Sequence, residues 1–187
     1  LETTEAKDMP GVVSILTAKD IPGENQIGGI IPDEELLAGT HVHFCGMPVA
    51  LVIAETDEQA RAAVKKIKMV IDPLPVITDP REAKEKGALI IPPRTFQLGD
   101  TTAAWGQCEH IFEGRTETNG QEHLYIETQG AYAVPQENGA IRIYSSTQGP
   151  TAVQRTAARV LGVSMNFIET DTTRLGGGFG GKEDQAT

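Results

Sequence analysis

The chain has 187 residues, with 16 Lys and Arg against 26 Asp and Glu and a formal net charge of −10, which makes one ordinary domain or two small ones. That acidity excludes a phosphate-backbone binder, because nucleic-acid affinity rests on clustered cations. Apolar residues at 39% and charged residues at 22% exclude wholesale disorder, and the longest strongly apolar stretch, Pro48 to Ala54, falls far short of the roughly 20 residues of a membrane span.

In chain order, Pro10 leads into a short strand, Val12 to Leu16, and a polar loop follows from Thr17 to Gly29. Val42, Phe44 and then Val49 to Ala54 predict a buried strand interrupted at Gly46 and Pro48. Thr56 and Gln59 form the signature of a capping box, so a helix opens there with Ala60, Ala63, Val64 and Ile67 on one face. Met69 to Ile71 returns to strand character. Asp79-Pro80 opens another helix, with Glu82 at the capping-box position and Gly87 at its end. Ile90 to Gly99 reads as a connector between two units, placing the boundary after Pro93.

Strands are expected next at Ile111 to Glu117, Leu124 to Ile126, Ala131 to Val134 and Ile141 to Ser145, the last two joined by a turn at Glu137-Asn138-Gly139. From Pro150 a helix carries Val153, Ala157, Val160 and Leu161 on one face and stops at Gly162, and Phe167 to Thr170 is a further strand. There is no internal repeat. Leu1 to Pro10 carries no basic or apolar leader, and a start at Leu1 points to a piece of something longer. Cys45 and Cys108 offer neither a disulfide framework nor iron–sulfur spacing, so the expected compartment is the reducing cytoplasm.

The chemistry concentrates in Arg174 to Glu183, where five of residues 176–181 are glycine. Such a run lets the backbone approach a ligand and present successive N–H groups to an anion. A flexible surface loop is the plainer reading, against which Phe179 stands as a bulky aromatic suited to a pocket wall. Gly176, Gly178 and Gly181 also satisfy G-x-G-x-x-G, and residues 176–182 satisfy G-x-x-x-x-G-K. The latter lacks the Ser or Thr that holds magnesium, Glu183 standing in its place. The former needs a following helix and an acidic residue about 20 positions on.

Gln148 ends the Ile141 to Ser145 strand and precedes a helix, where its amide can donate to an oxo or carbonyl oxygen or simply cap loop backbone. His123, Glu122 and Glu127 are residues of the acid–base type. His41, His43 and Cys45 alternate as metal ligands on a strand would, with no fourth ligand nearby, so Val42 and Phe44 are expected in the core and the histidines in solvent.

Three motifs, taken together, carry a resemblance. Gly120-Gln121-Glu122-His123-Leu124-Tyr125-Ile126-Glu127-Thr128, Ser146-Thr147-Gln148 and Arg174 through Glu183 resemble, in order and spacing, the molybdenum-binding subunit of the xanthine dehydrogenase and aldehyde oxidase family. Gly11-Val12-Val13, Leu16 to Gly23 and Pro48 to Ala54 resemble that family's α/β hammerhead domain, although Met47 stands where the family usually has Gln.

The resemblance implies an α+β fragment, with a hammerhead over residues 1–93 and the start of a molybdopterin-binding domain over residues 94–187. It places Gln148 and the backbone at Phe179 near the molybdenum ligands, Gly178, Phe179, Gly180 and Gly181 against molybdopterin in its cytosine dinucleotide form, and Glu183 on a purine-like substrate. The family hydroxylates carbon with oxygen from water, using a glutamate base expected beyond Thr187, and passes electrons to 2Fe–2S clusters and FAD on other domains or subunits. The fragment alone is then expected to be inactive, and the complete enzyme to be a cytoplasmic oligomer. The alternatives are a phosphate or dinucleotide module built on residues 176–182 and a non-catalytic structural domain.

Overall fold

The computed structural model describes residues 1–183 and divides into two units, one formed by Leu1–Met69 with the chain from Gln121 onward, the other by Val70–Gly120. In the larger unit a short helix α1 (Thr4–Lys7) precedes strand β1 (Val12–Leu16), which pairs antiparallel with β2 (Leu51–Ala54), Ile15 facing Val52 across the ladder. Ile15, Ala6 and Ala63 form a buried cluster, with Met9, Val12, Ala50, Val52 and Ile67 packed around it. Helix α2 (Asp57–Val64) starts at the expected capping box: Gln59 N–H donates to Thr56 Oγ1 at 3.3 Å and Thr56 N–H to Gln59 Oε1 at 3.1 Å. Two N–H groups that the first turn leaves orphaned are thereby satisfied.

Two expectations are corrected in this half. Val42 and Phe44 are exposed in irregular chain, and only Leu51–Ala54 of the expected strand pairs. Gly46 turns the chain at φ +93 and Pro48 has no N–H for a ladder, so the extended run is broken and Met47 and Leu37 are buried instead. Met69 to Ile71 forms no strand; the nearest pairing is an isolated bridge between Glu2 and Lys68.

Val70–Gly120 contains two short helices, α3 (Pro80–Glu85) and α4 (Thr101–Trp105), the second lying where no element is expected. Each is opened by an aspartate that accepts first-turn N–H groups: Asp79 from Arg81 and Glu82, Asp100 from Ala103. Ile111 to Glu117 is not a strand, and no residue of this unit is buried. Ile111, Phe112 and Thr116 are types that favour extension, but a strand also needs a neighbouring edge to take its N–H and C=O groups, and none is paired with it among the described residues.

In the second half of the larger unit, β3 (Ala131–Pro135), β4 (Ile141–Ser145) and β5 (Ile168–Asp171) form a sheet in that order. The first pair is antiparallel, from Ala131 opposite Ser145 to Pro135 opposite Ile141, and its turn places Asn138 and Gly139 at φ +59 and +76, as the hairpin reading requires. Leu124 to Ile126 is not a strand, because Leu124 sits at φ +50 and an extended run cannot pass through it. Helix α5 (Pro150–Leu161) carries the chain from β4 to β5, which run parallel, and buries Val153 and Ala158 against the β5 side, where Ile168 is also buried.

The end of α5 is closed twice. Gly162 at φ +67 lets its own N–H reach Arg159 O at 3.2 Å and that of Val163 reach Ala158 O at 3.0 Å. Gly23 and Glu24 N–H then donate to Val160 O and Arg159 O at 2.9 and 3.0 Å. A Cβ on Gly23 would lie 2.1 Å from Arg159 O and 2.6 Å from Gly162 N, both backbone atoms that no rotamer change can move. Gly162→Ala should therefore cost about 1 kcal/mol, the left-handed penalty alone. Gly23→Ala should cost about 3 kcal/mol, the upper end of overpacking. Thermal unfolding of both variants in the intact protein checks the ranking; equal losses would show that the Gly23 loop simply moves away.

Candidate functional site

The β4–α5–β5 unit leaves Thr147, Gln148 and Gly149 between the C-terminal end of a strand and the first turn of a helix. Ligands gather at this position in α/β folds because backbone donors and the helix dipole converge there. The glycine-rich segment returns to this place after β5. Gly180 N–H donates to Gln148 Oε1 at 2.9 Å and Lys182 N–H to the same oxygen at 3.3 Å, while Gln148 N–H donates to Lys182 O at 2.9 Å. Thr147 Oγ1, buried, donates to Lys182 O at 3.2 Å. The structure thus brings together Gln148, Gly178, Phe179, Gly180 and Gly181, which the sequence singles out from two distant stretches.

Two N–H donors on one oxygen fix which way the Gln148 amide faces. Its Nε2 group is turned the other way and has no acceptor among the described residues. The backbone-capping reading of Gln148 is therefore what its oxygen does, and a free amide donor is what remains. The N–H groups of Gly177, Gly178 and Phe179 likewise meet no acceptor among the described residues. A row of unspent donors beside a neutral amide suits an oxygen-rich or anionic group. Gly178 is required by close approach: a Cβ there would lie 2.3 Å from Gln148 Oε1. Phe179 adopts φ +54 with its ring exposed, and Glu183, also exposed, follows with its N–H on Gly180 O at 3.3 Å.

A third stretch, 125–129, supports the loop from the other side. Lys182 is fully buried; its Nζ donates to Glu127 Oε2 at 2.8 Å and lies 4.9 Å from the centre of the Tyr125 ring. The same Glu127 oxygen accepts from Gly176 N–H at 2.8 Å. Lys182 first, and then the Gly176 N–H, hold the Glu127 carboxyl below the ordinary glutamate value. Gln129 Nε2 donates to Gly181 O at 3.0 Å and to Tyr125 Oη at 2.6 Å. Among the acid–base types of this stretch, His123 interacts locally, its Nδ1 lying 3.5 Å from Glu122 Oε1. Reading the sequence for catalysis misses the part played by Tyr125, Gln129 and Lys182; alternation with Glu127 was a signal for the first two, and Lys182, far along the chain, carried none.

His41 and His43 stack with ring centres 6.2 Å apart, Cys45 is exposed, and no group of three or more metal-ligand types is assembled among the described residues. The described residues include no helix long and apolar enough to cross a membrane.

Fold and site together define a mixed α and β chain in which a hammerhead unit precedes a molybdopterin-binding one. Residues 82–187 match the family described as molybdopterin cofactor-binding domain, and residues 1–75 match the aldehyde oxidase and xanthine dehydrogenase a/b hammerhead domain. The chain belongs to the xanthine dehydrogenase and aldehyde oxidase family. It is 37% identical over 186 residues to xanthine dehydrogenase of Dictyostelium discoideum and 38% identical over 188 residues to aldehyde oxidase 2 of Cavia porcellus, in each case covering 100% of this chain and 14% of the relative. The chain thus spans about one seventh of the length of these relatives. Among solved structures, the aldehyde oxidoreductase of Desulfovibrio gigas superposes with a TM-score of 0.74 at 29% identity, over 89% of this chain and 20% of that one. The Cu,Mo-CO dehydrogenase shares the fold at 23% identity, with a TM-score of 0.75 over 97% of this chain and 26% of that one.

Two outcomes follow from the site geometry. Gly178→Ala should push the Gln148 side chain off the loop, and hydrogen exchange at the amides of Gly180 and Lys182 should accelerate; unchanged protection would show that the close approach is relieved elsewhere. The Glu127 carboxyl is depressed in the folded state, so its contribution is complete above the ordinary value of 4.5 and is lost as the pH falls through the folded value. The stability gap between the wild-type chain and Glu127→Gln, followed by melting temperature, should narrow as the pH drops below 4.5. A gap independent of pH would contradict that assignment.

Proposed function

We propose that the chain is part of a cytoplasmic molybdenum hydroxylase that oxidises a purine or related N-heterocycle, taking oxygen from water. Family membership supports the enzyme class. The observation that carries the site is the coincidence, in one place, of the Gln148 amide donor and the N–H groups of residues 177–179, none with an acceptor among the described residues, and of the Glu183 carboxylate that follows the glycine-rich loop. Gln148 Nε2 and the main chain from Gly178 to Gly181 would hold molybdopterin, in its cytosine dinucleotide form, at the end nearest the metal. When bound, that group supplies two-electron oxidation of a carbon centre. The chain's own share is to orient it with neutral donors, and to anchor a heterocycle through Glu183.

The division of labour along the chain follows from this reading. Residues 1–93 form the hammerhead and residues 94–187 open the cofactor-binding domain. The general base lies beyond Thr187, so residues 1–187 alone turn over no substrate. The 2Fe–2S and FAD groups that carry electrons away sit on other domains or subunits of an oligomeric enzyme.

In the complete enzyme, Glu183→Ala should lower kcat/KM for xanthine by an amount equivalent to about 1.5–3 kcal/mol, the loss of a hydrogen bond with a charged partner. Aldehyde turnover should change far less, since an aldehyde offers no ring nitrogen to that carboxylate. Unchanged kcat/KM for xanthine removes Glu183 from the substrate site, and turnover confined to aldehydes replaces the heterocycle by an aldehyde.

A further inference from the structure

Glu127 closes the glycine-rich loop at both ends with one oxygen. Its Oε2 accepts from Gly176 N–H, where the loop begins, and from Lys182 Nζ, where it ends, each at 2.8 Å. Lys182 is the largest fully buried side chain among the described residues, with its ammonium against the Tyr125 ring on one side and Glu127 on the other. Taking an ammonium out of water is costly, and an apolar side chain would plug the same space at lower cost. What an ion pair adds is direction, because a buried cation is tolerated only where its one carboxylate stands. Tyr125, Glu127 and Gln129 present three alternate side chains to the loop, and Gln129 fixes the Gly181 carbonyl at 3.0 Å. Gln148 holds the opposite side through Gly180 and Lys182.

The inward polar groups of the loop are thus consumed by side chains from two other stretches, while the N–H groups of Gly177, Gly178 and Phe179 have no acceptor among the described residues. We propose that Glu127 is a positioning residue which, through the buried Lys182, holds residues 176–182 in their ligand-ready shape before any cofactor arrives. This rests on reading that loop as the cofactor-contacting one. Its role is mechanical rather than proton transfer: the oxygen is occupied twice, and the ordering of a glycine-rich segment is completed in folding instead of being charged to binding.

The test uses the intact enzyme as wild type, Glu127→Gln, Lys182→Met and the double variant. Hydrogen exchange is read on peptides covering the loop and α5, and molybdenum per chain by elemental analysis. Each single variant should exchange the loop amides about tenfold faster or more, the scale set by losing a charge-assisted hydrogen bond. Molybdenum content should fall severalfold, while α5 exchange stays close to wild type. The double variant should lose less than the two single losses combined, since one Glu127 oxygen serves both Lys182 and Gly176. Wild-type loop exchange in both single variants, or losses that add in the double, overturns the proposal. If Lys182→Met does not fold, the near-isosteric Glu127→Gln decides it by exchange alone. A wild-type enzyme without molybdenum would refute the proposed function while leaving the exchange test of the tether intact.

Discussion

The site depends on closing a loop whose backbone resists closure. Glycine loses more conformational freedom on ordering than any other residue, and five of residues 176–181 are glycine. Nothing inside such a segment can offset that loss, because there are almost no side chains to pack. The compensation comes from outside: the Gln148 oxygen with two N–H donors, the Glu127 oxygen with one N–H and one ammonium, and the Gln129 amide on a carbonyl. Small residues admit these groups, and the groups in turn order the small residues. Substitution at Gly178 and truncation of Gln148 therefore strike the same contact from its two sides.

Placement of the loop follows from the β4–α5–β5 crossover. Parallel pairing of β4 with β5 requires the chain to leave the sheet and return on the same side, and α5 supplies that path. Gln148 lies on the way out, and the glycine-rich segment begins shortly after β5 on the way back. The helix is fixed at its far end by Gly162 and by the Gly23–Glu24 backbone, so a loop near the start of the chain stabilises an element whose other end faces the site.

Elements whose reasons are local were legible in the sequence. The capping box at Thr56, the Asn138-Gly139 turn, proline at the start of α5 and glycine at its end each contain their own physical cause within a few residues. Strands were legible only where a partner exists: Ile141–Ser145 pairs on both sides, whereas Ile111 to Glu117, read as a strand from its apolar start, has no paired edge among the described residues. Val42 and Phe44 show the same limit, since hydrophobicity marks what can be buried and chain breaks at Gly46 and Pro48 decide what is. For the site, Gln148 and the glycines stood out by type and spacing. The pairing of Glu127 with Lys182 did not, because it joins positions far apart in the chain, and spacing carries no information about such a pair.

That pairing also separates two readings that sequence leaves level. In a phosphate-binding loop of the G-x-x-x-x-G-K kind, the lysine must point its ammonium at the β- and γ-phosphates. Here the Lys182 ammonium is fully buried, its charge opposed by Glu127 and one face covered by Tyr125. Turning it outward would strand the Glu127 carboxylate and release Gly176 at the same time, so the lysine cannot serve a ligand without dismantling the loop that would bind it. The remaining donors, Gln148 Nε2 and three main-chain N–H groups, carry no formal charge. A nucleotide triphosphate bound only to these would receive no charge from the motif's own lysine, beside a carboxylate at Glu183 and in a chain of net charge −10. Neutral donors of this kind suit a group whose oxygens are oriented without their charge being cancelled.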